Sequence, residues 1–193
     1  MIRALLGGSF DPVHAGHVAL AGHVLEAGLA ERVVVVPAWW SPRRDLPAAP
    51  AADRLAMCRL AFAGLGAVTV DDREAAAGRP VPTVETLAAL AAAAPGDDWR
   101  VVIGADHLAT FPLWQDAARL LALAKLVVVA RAGVDLAPPA GLPAGRILVA
   151  PPFDHPVSSS AVRAMLAAGG ATGDLLPPAV AAYIETRRLY RPA

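Results

Sequence analysis

Six short runs rich in valine, isoleucine, leucine and alanine recur along the chain, at residues 2–6, 32–36, 67–70, 100–103, 126–130 and 146–150. Longer stretches of helical character separate them. Runs such as RVVVV and LVVVA are apolar at successive positions, with no polar face. A strand of that kind must be buried on both sides. Strands of this type alternating with helices predict a parallel sheet covered on both faces, a doubly wound α/β fold. The helices are expected at 15–27, closed by Gly28, and at 52–63, 83–94, 114–122, 159–168 and 178–187. Thr83 is the expected N-cap of the third, with Gly96 just past its end. Residues 37–50 and 134–145 are rich in proline, glycine and alanine and read as loops. The expectation is one domain over residues 1–193, with a helical part from about 157 packed on it. Ligands of such folds bind beyond the carboxyl ends of the strands, which directs attention to the loops after Leu6, Val36, Ile103 and Ala150.

Charge and cysteine content narrow the classes of function. Lys and Arg number 17, as do Asp and Glu, so the 193-residue chain carries no net charge at neutral pH. That argues against a protein that coats nucleic acid and leaves room for a small anion held by a few arginines. Cys58 is the one cysteine; no disulfide can form within the chain, as suits a reducing compartment. The opening MIRALLGGSF lacks the build of a signal peptide, and no apolar run reaches the ~18 residues of a membrane span. A cytoplasmic protein without membrane contact is expected; a homo-oligomer is compatible with the sequence.

The stretch GGSFDPVHAGH, residues 7–17, carries the chemistry. A strand, a tight turn at Gly7-Gly8 and a helix start make a place where backbone N–H groups and the helix dipole favour a phosphate. The patterns GxxxxGK[ST] and GxGxxG are both absent. His14 and His17 lie one helical turn apart, so both rings are expected to face the strand ends. Gly16 between them is expected to let a ligand approach the backbone. Two imidazoles can donate to phosphate oxygens as charge grows there. A zinc site would need a third ligand, and no acid stands at suitable spacing. Near the other end, VSSSAVR at residues 157–163 places Ser158, Ser159 and Ser160 ahead of a helix with Arg163 one turn in, a second arrangement suited to phosphate.

These two stretches resemble the paired signatures of the nucleotidylyltransferase superfamily: a hydroxyl, Phe, Asp, Pro and HxGH, then I-S-[ST]-[ST]-x-[IV]-R. Further stretches are similar to blocks of the bacterial nicotinate-nucleotide adenylyltransferase family. VIGADHLATFPLW at 102–114 resembles IIGxDxxxxFxxW, and PTVETL at 82–87 resembles YTxxTL. LVVVARAG and the closing LLPPAVAAYIETRRLY also fit, so the resemblance covers almost the whole chain. It implies a Rossmann-like HxGH nucleotidyltransferase fold. It also implies transfer of the adenylyl group of ATP to nicotinate mononucleotide, with pyrophosphate leaving, no covalent enzyme intermediate, and Mg²⁺ carried on the ATP phosphates without a protein metal site.

For single residues, the resemblance implies catalytic roles for His14, His17 and Arg163. It implies ATP contacts at Gly7, Gly8, Ser9, Phe10, His14, His17, Gly104, Asp106, Ser158, Ser159, Ser160 and Arg163. Acceptor contacts are implied at Trp39, Arg43, Arg44, Thr83, Thr86, Asp106 and Trp114. Asp106 would hold a ribose hydroxyl and Trp114 would stack on the pyridine ring. The nicotinate carboxylate would lie near the start of the helix at Thr83. His23, His107 and His155 are assigned no role, and Asp71-Asp72 is expected to be a solvated turn.

Departures from the family pattern cluster on the acceptor side. Ala38-Trp39-Trp40 stands where asparagine is common, Pro82 where tyrosine precedes Thr83, and Ala15 where an aromatic is common. The alternatives are an adenylyltransferase for nicotinamide mononucleotide or phosphopantetheine, and a nucleotide-binding sensor without turnover.

Overall fold

A computed structural model describes residues 1–40, 46–134, 136, 141–143 and 145–191. Parts of the two expected loops, among them Arg43 and Arg44, lie outside the described residues. Six strands form one sheet: β1 (Ile2–Gly8), β2 (Arg32–Pro37), β3 (Val68–Val70), β4 (Asp98–Gly104), β5 (Ala124–Val129) and β6 (Ile147–Val149). Their order is β3-β2-β1-β4-β5-β6 and every pair is parallel. The chain leaves β1 in one direction to build β2 and β3, then returns to β1's other side to build β4, β5 and β6. The crevice between the carboxyl ends of β1 and β4 is therefore the point where the winding reverses, the place where such sheets bind ligands.

The apolar runs divide between two faces with period 2. Ala4, Leu6, Val33, Val35, Val102 and Val127 enter one core. Leu5, Val34, Val36, Val101, Ile103, Leu126 and Val128 enter the other. The first is covered by α1 (Ala15–Glu26), α2 (Ala51–Phe62), α6 (Ser159–Ala167) and α7 (Pro178–Arg187), through residues such as Val24, Met57, Val162 and Ile184. The second is covered by α3 (Thr83–Ala93) and α5 (Ala117–Leu123), through Leu87, Leu90, Leu120 and Leu121. This double burial is why the strands show no polar face. Among the described residues no helix is long and apolar enough to cross a membrane.

Several expectations are corrected. The glycine pair is the end of β1 and not a turn: Gly7 pairs with Val36 and Gly8 with Pro37. The chain turns instead at Phe10, a buried residue with φ of 47°. Thr83 is the first helical residue of α3, and Pro82 holds the N-cap position with no side-chain acceptor. A short α4 (Ala105–Leu108) follows β4 directly. The helix expected from residue 114 begins at Ala117, because the Asp116 carboxylate accepts from the Arg119 N–H and fixes the start there. The expected turn at Asp71 is built by Arg73, whose guanidinium and backbone N–H both donate to the Asp71 carboxylate.

Candidate active site

His14 is the N-cap of α1 and His17 its third residue. At a helix start the backbone N–H groups lack partners inside the helix. Here the His14 N–H donates to Nδ1 of His17 over 3.2 Å. A ring nitrogen that accepts carries no proton, so the proton of neutral His17 sits on Nε2, directed away from the helix start. The two rings stack with centroids 3.7 Å apart. The reciprocal contact falls short of a hydrogen bond, and Nδ1 of His14 is buried without a partner. Phe10, 2 % exposed, presents its ring edge to His17 at 4.9 Å between centroids. Phe10, expected as an ATP contact, lies in the buried core against the His17 ring.

Both imidazoles are held neutral. Burial lowers the His14 pKa to about 4, with a further push from the charge of His155. Burial, then His14, then His155, set His17 well below the ordinary histidine value. A phosphate arriving here meets two N–H donors instead of two preformed cations.

The glycine between the histidines does a different job from the one expected. A Cβ on Gly16 would come within 2.9 Å of Val157 Cγ1 and 3.1 Å of His14 Nδ1. Gly16 is buried, and it makes room for the second motif to pack on the first, not for a ligand. Two hydrogen bonds secure the same junction. The Ser159 hydroxyl donates to the Pro12 carbonyl over 3.0 Å, and Arg163 Nη1 donates to the Asp11 carbonyl over 2.6 Å. The fold thus brings residues 147 and 152 positions apart into one cluster.

The three serines have separate surroundings. The Ser158 hydroxyl caps α6 by accepting from the Ala161 N–H, and the Ser159 hydroxyl is spent on Pro12. Ser160 is exposed. Arg163 keeps 35 % of its side chain exposed while bound to Asp11, so the guanidinium is held at the crevice with donors to spare.

Behind the cluster lies a framework to which the sequence reading gave no task. The Asp11 carboxylate accepts from the N–H groups of Ala48 and Ala49 and from the Tyr190 hydroxyl. Arg54, 1 % exposed, donates to the carbonyls of Ser9, Ala38 and Trp39 at 2.6 Å and of Ala49 at 3.1 Å. One guanidinium therefore ties the turn after β1 to the loop after β2. Arg54 shares the buried side of α2 with Asp53, Met57, Cys58 and Phe62.

At the end of β4, Gly104 is the N-cap of α4, and a Cβ there would collide with the Asp106 carboxylate. That carboxylate is 75 % exposed, 3.8 Å from His107 Nε2, and caps no helix. Trp114 is half-buried, with its ring 5.5 Å from Phe111 and 6.1 Å from His107. Trp39 is half-buried beside β2. Thr83 opens α3 without a side-chain cap. The Thr86 hydroxyl is buried and donates to Glu74, whose carboxyl burial pushes above its usual range. The Thr86 hydroxyl is thus engaged within the protein.

The comparisons with known proteins follow the same lines. Residues 5–165 match the family described as cytidylyltransferase-like. A nicotinate-nucleotide adenylyltransferase from Pseudomonas entomophila is 37% identical over 97% of this chain and 94% of its own. One from Bordetella avium is 42% identical over 98% of both. Among solved structures, Plasmodium falciparum nicotinic acid mononucleotide adenylyltransferase complexed with NaAD superposes with a TM-score of 0.76. It is 17% identical and is covered over 96% of its length and 97% of this chain. The same enzyme complexed with APC gives 0.72. At that identity the structures speak for the fold, while the full-length relatives speak for the family. The chain belongs to the nicotinate-nucleotide adenylyltransferase family of HxGH nucleotidyltransferases.

Proposed function

We propose that the chain transfers the adenylyl group of MgATP to the 5′-phosphate of nicotinate mononucleotide, giving nicotinate adenine dinucleotide and pyrophosphate, a step of NAD biosynthesis. A bond forms between an acceptor phosphate oxygen and the α-phosphorus, and the bond from the α-phosphorus to the bridging oxygen breaks, its electrons leaving with pyrophosphate. A phosphate dianion is already a nucleophile and needs no general base. The work left to the protein is alignment and stabilisation of charge at the α-phosphate and on the leaving group.

The observation that carries this reading is the hydrogen bond from the His14 N–H to His17 Nδ1, which leaves Nε2–H of His17 as a fixed donor. In the proposed arrangement His17 donates to the α-phosphate and His14 contacts the phosphates beside it. Arg163 and the start of α6 receive the β- and γ-phosphates. Mg²⁺ enters as part of the MgATP substrate. The Asp11 carboxylate is engaged by two backbone N–H groups and Tyr190, so phosphate oxygens and water serve as the ion's ligands, which suits Mg²⁺. A cytoplasmic location goes with this reading.

On the acceptor side, the uncapped first turn of α3 offers N–H groups and the positive end of a helix dipole to the nicotinate carboxylate. Asp106 suits a ribose hydroxyl and Trp114 the pyridine ring. An amide in place of the carboxylate would set an NH₂ against those donors. Two charged hydrogen bonds at about 1.5–3 kcal/mol each give roughly 100-fold or more in kcat/KM. The test is kcat/KM for nicotinate mononucleotide and for nicotinamide mononucleotide with saturating MgATP, followed by pyrophosphate release. The acid is expected to win by that factor. Equal values or a preference for the amide would contradict the acceptor assignment.

A further inference from the structure

His155 lies three residues ahead of Ser158, outside both motifs, in the connector between β6 and α6. That connector is fastened at three points: to the last turn of α1, to the end of β5 and to the start of α1. The Pro151 carbonyl lies 2.9 Å from His23 Nε2, and the Phe153 N–H donates to the Ala130 carbonyl over 2.9 Å. Two residues past His155, Val157 seats against Gly16. The imidazole is thus held between an anchored Phe153, whose ring is 6.4 Å away, and the contact that joins the two motifs. Its Nδ1 is buried without a hydrogen-bond partner, although the residue as a whole is only half-buried. A sealed nitrogen with no acceptor keeps its lone pair, and the ring proton belongs on Nε2. Both His14 and His17 feel His155 through its electrostatic influence, which works against protonation of either. His14 and His17 stack on each other, and the segment that carries His155 packs onto them through Val157 and Gly16, while the Asp11 and Asp154 carboxylates are engaged by other groups. Asp11 is bound to Tyr190 and two N–H groups, and Asp154 lies 3.6 Å from Arg131.

We propose that His155 is a third phosphate-binding imidazole of this site, donating from Nε2 to the β- or γ-phosphate of ATP before transfer and to pyrophosphate after it. The proposal rests on the adenylyl-transfer reading and adds a residue that the two motifs do not contain. A polyphosphate spanning the crevice would satisfy donors from both sides of the junction: His14 and His17 from α1, His155 and Arg163 from the segment packed over it.

The test compares ATP, AMP and inorganic pyrophosphate binding by calorimetry in the wild type, His155→Phe and His155→Gln. His155→Phe keeps the ring volume and removes the donor. It is expected to weaken ATP and pyrophosphate by about tenfold or more, the scale of one hydrogen bond to a charged group, with AMP within about twofold. His155→Gln restores an N–H donor and is expected to recover much of the loss. Equal weakening of ATP and AMP would place His155 at the nucleoside and overturn the proposal, as would unchanged binding of all three. Should the variants fold poorly, the imidazole resonances of the wild type serve: those of His155 shift on adding pyrophosphate if the proposal holds and stay fixed if it fails. His17→Ala run in parallel separates the two claims. Loss of turnover there, with no effect at His155, refutes the third imidazole alone.

Discussion

The backbone N–H of His14 donates to Nδ1 of His17 across one helical turn, so an N-cap residue uses its own main chain to choose the tautomer of the residue three positions on. The capping requirement of a helix start and the donor requirement of a phosphate site are met by one bond. The HxGH spacing is what allows it, because only residues three or four apart meet at a helix start.

Arg163 is expected to act on the pyrophosphate end of ATP. Its guanidinium already gives one N–H to the Asp11 carbonyl, which holds it in place for an anion. Arg163→Ala removes a charged donor worth about 1.5–3 kcal/mol. ATP should bind roughly 10- to 150-fold more weakly, with AMP nearly unchanged. Calorimetric titration of both nucleotides checks this, and a common loss would move Arg163 away from the β- and γ-phosphates.

Gly16 should tolerate no side chain. Alanine in a helix is favoured over glycine by about 1 kcal/mol, whereas crowding a packed junction costs about 1–3 kcal/mol. The crowding wins here because Val157, a stiff β-branched residue, and the His14 ring both stand in the way. Gly16→Ala should lower both the thermal midpoint and kcat. Adding Val157→Ala should restore part of each, since it relieves one of the two contacts. A stabilised, fully active Gly16→Ala would show that the junction is loose.

The neutral histidines make stability depend on pH. In the unfolded chain a histidine takes up its proton near pH 6.5; folded His14 does so only near 4, and His17 well below 6.5. Between these values the unfolded chain binds more protons, so stability rises with pH there. The contribution is complete above about pH 6.5 and lost as the pH falls toward 4. Chemical denaturation from pH 7.5 to 4.5 should show this decline, with a shallower slope in His14→Gln. Equal slopes in the two proteins would contradict the burial of a neutral His14.

Much of the fold is legible in the sequence because double burial leaves its mark on every central strand: Val33 to Val36 point alternately into two cores, so none can be polar. The two phosphate motifs were legible for a related reason, since their residue types and spacing are local. What escaped depends on contacts between distant segments. Gly7 and Gly8 read as a turn, yet parallel pairing with Val36 and Pro37 carries β1 through them. Thr86 read as a position on the acceptor side, and the fold brings the distant Glu74 carboxylate onto its hydroxyl. Gly16 read as a gap for ligand, and Val157, from the far end of the chain, fills it. Arg54 and Asp11 organise both loops of the crevice through main-chain partners, and a main-chain partner leaves no residue type to recognise.

The central claim is that Nε2–H of His17 stabilises charge on the α-phosphate as the bond to pyrophosphate breaks. Removing one preorganised donor of this kind costs about 100- to 1,000-fold in kcat. The most direct measurement is kcat of His17→Ala at saturating MgATP and nicotinate mononucleotide, together with its affinity for ATP and its thermal midpoint. The account predicts a folded protein that binds ATP nearly as well as the wild type and turns over at least about 100-fold more slowly. A folded His17→Ala with near-normal kcat would contradict it.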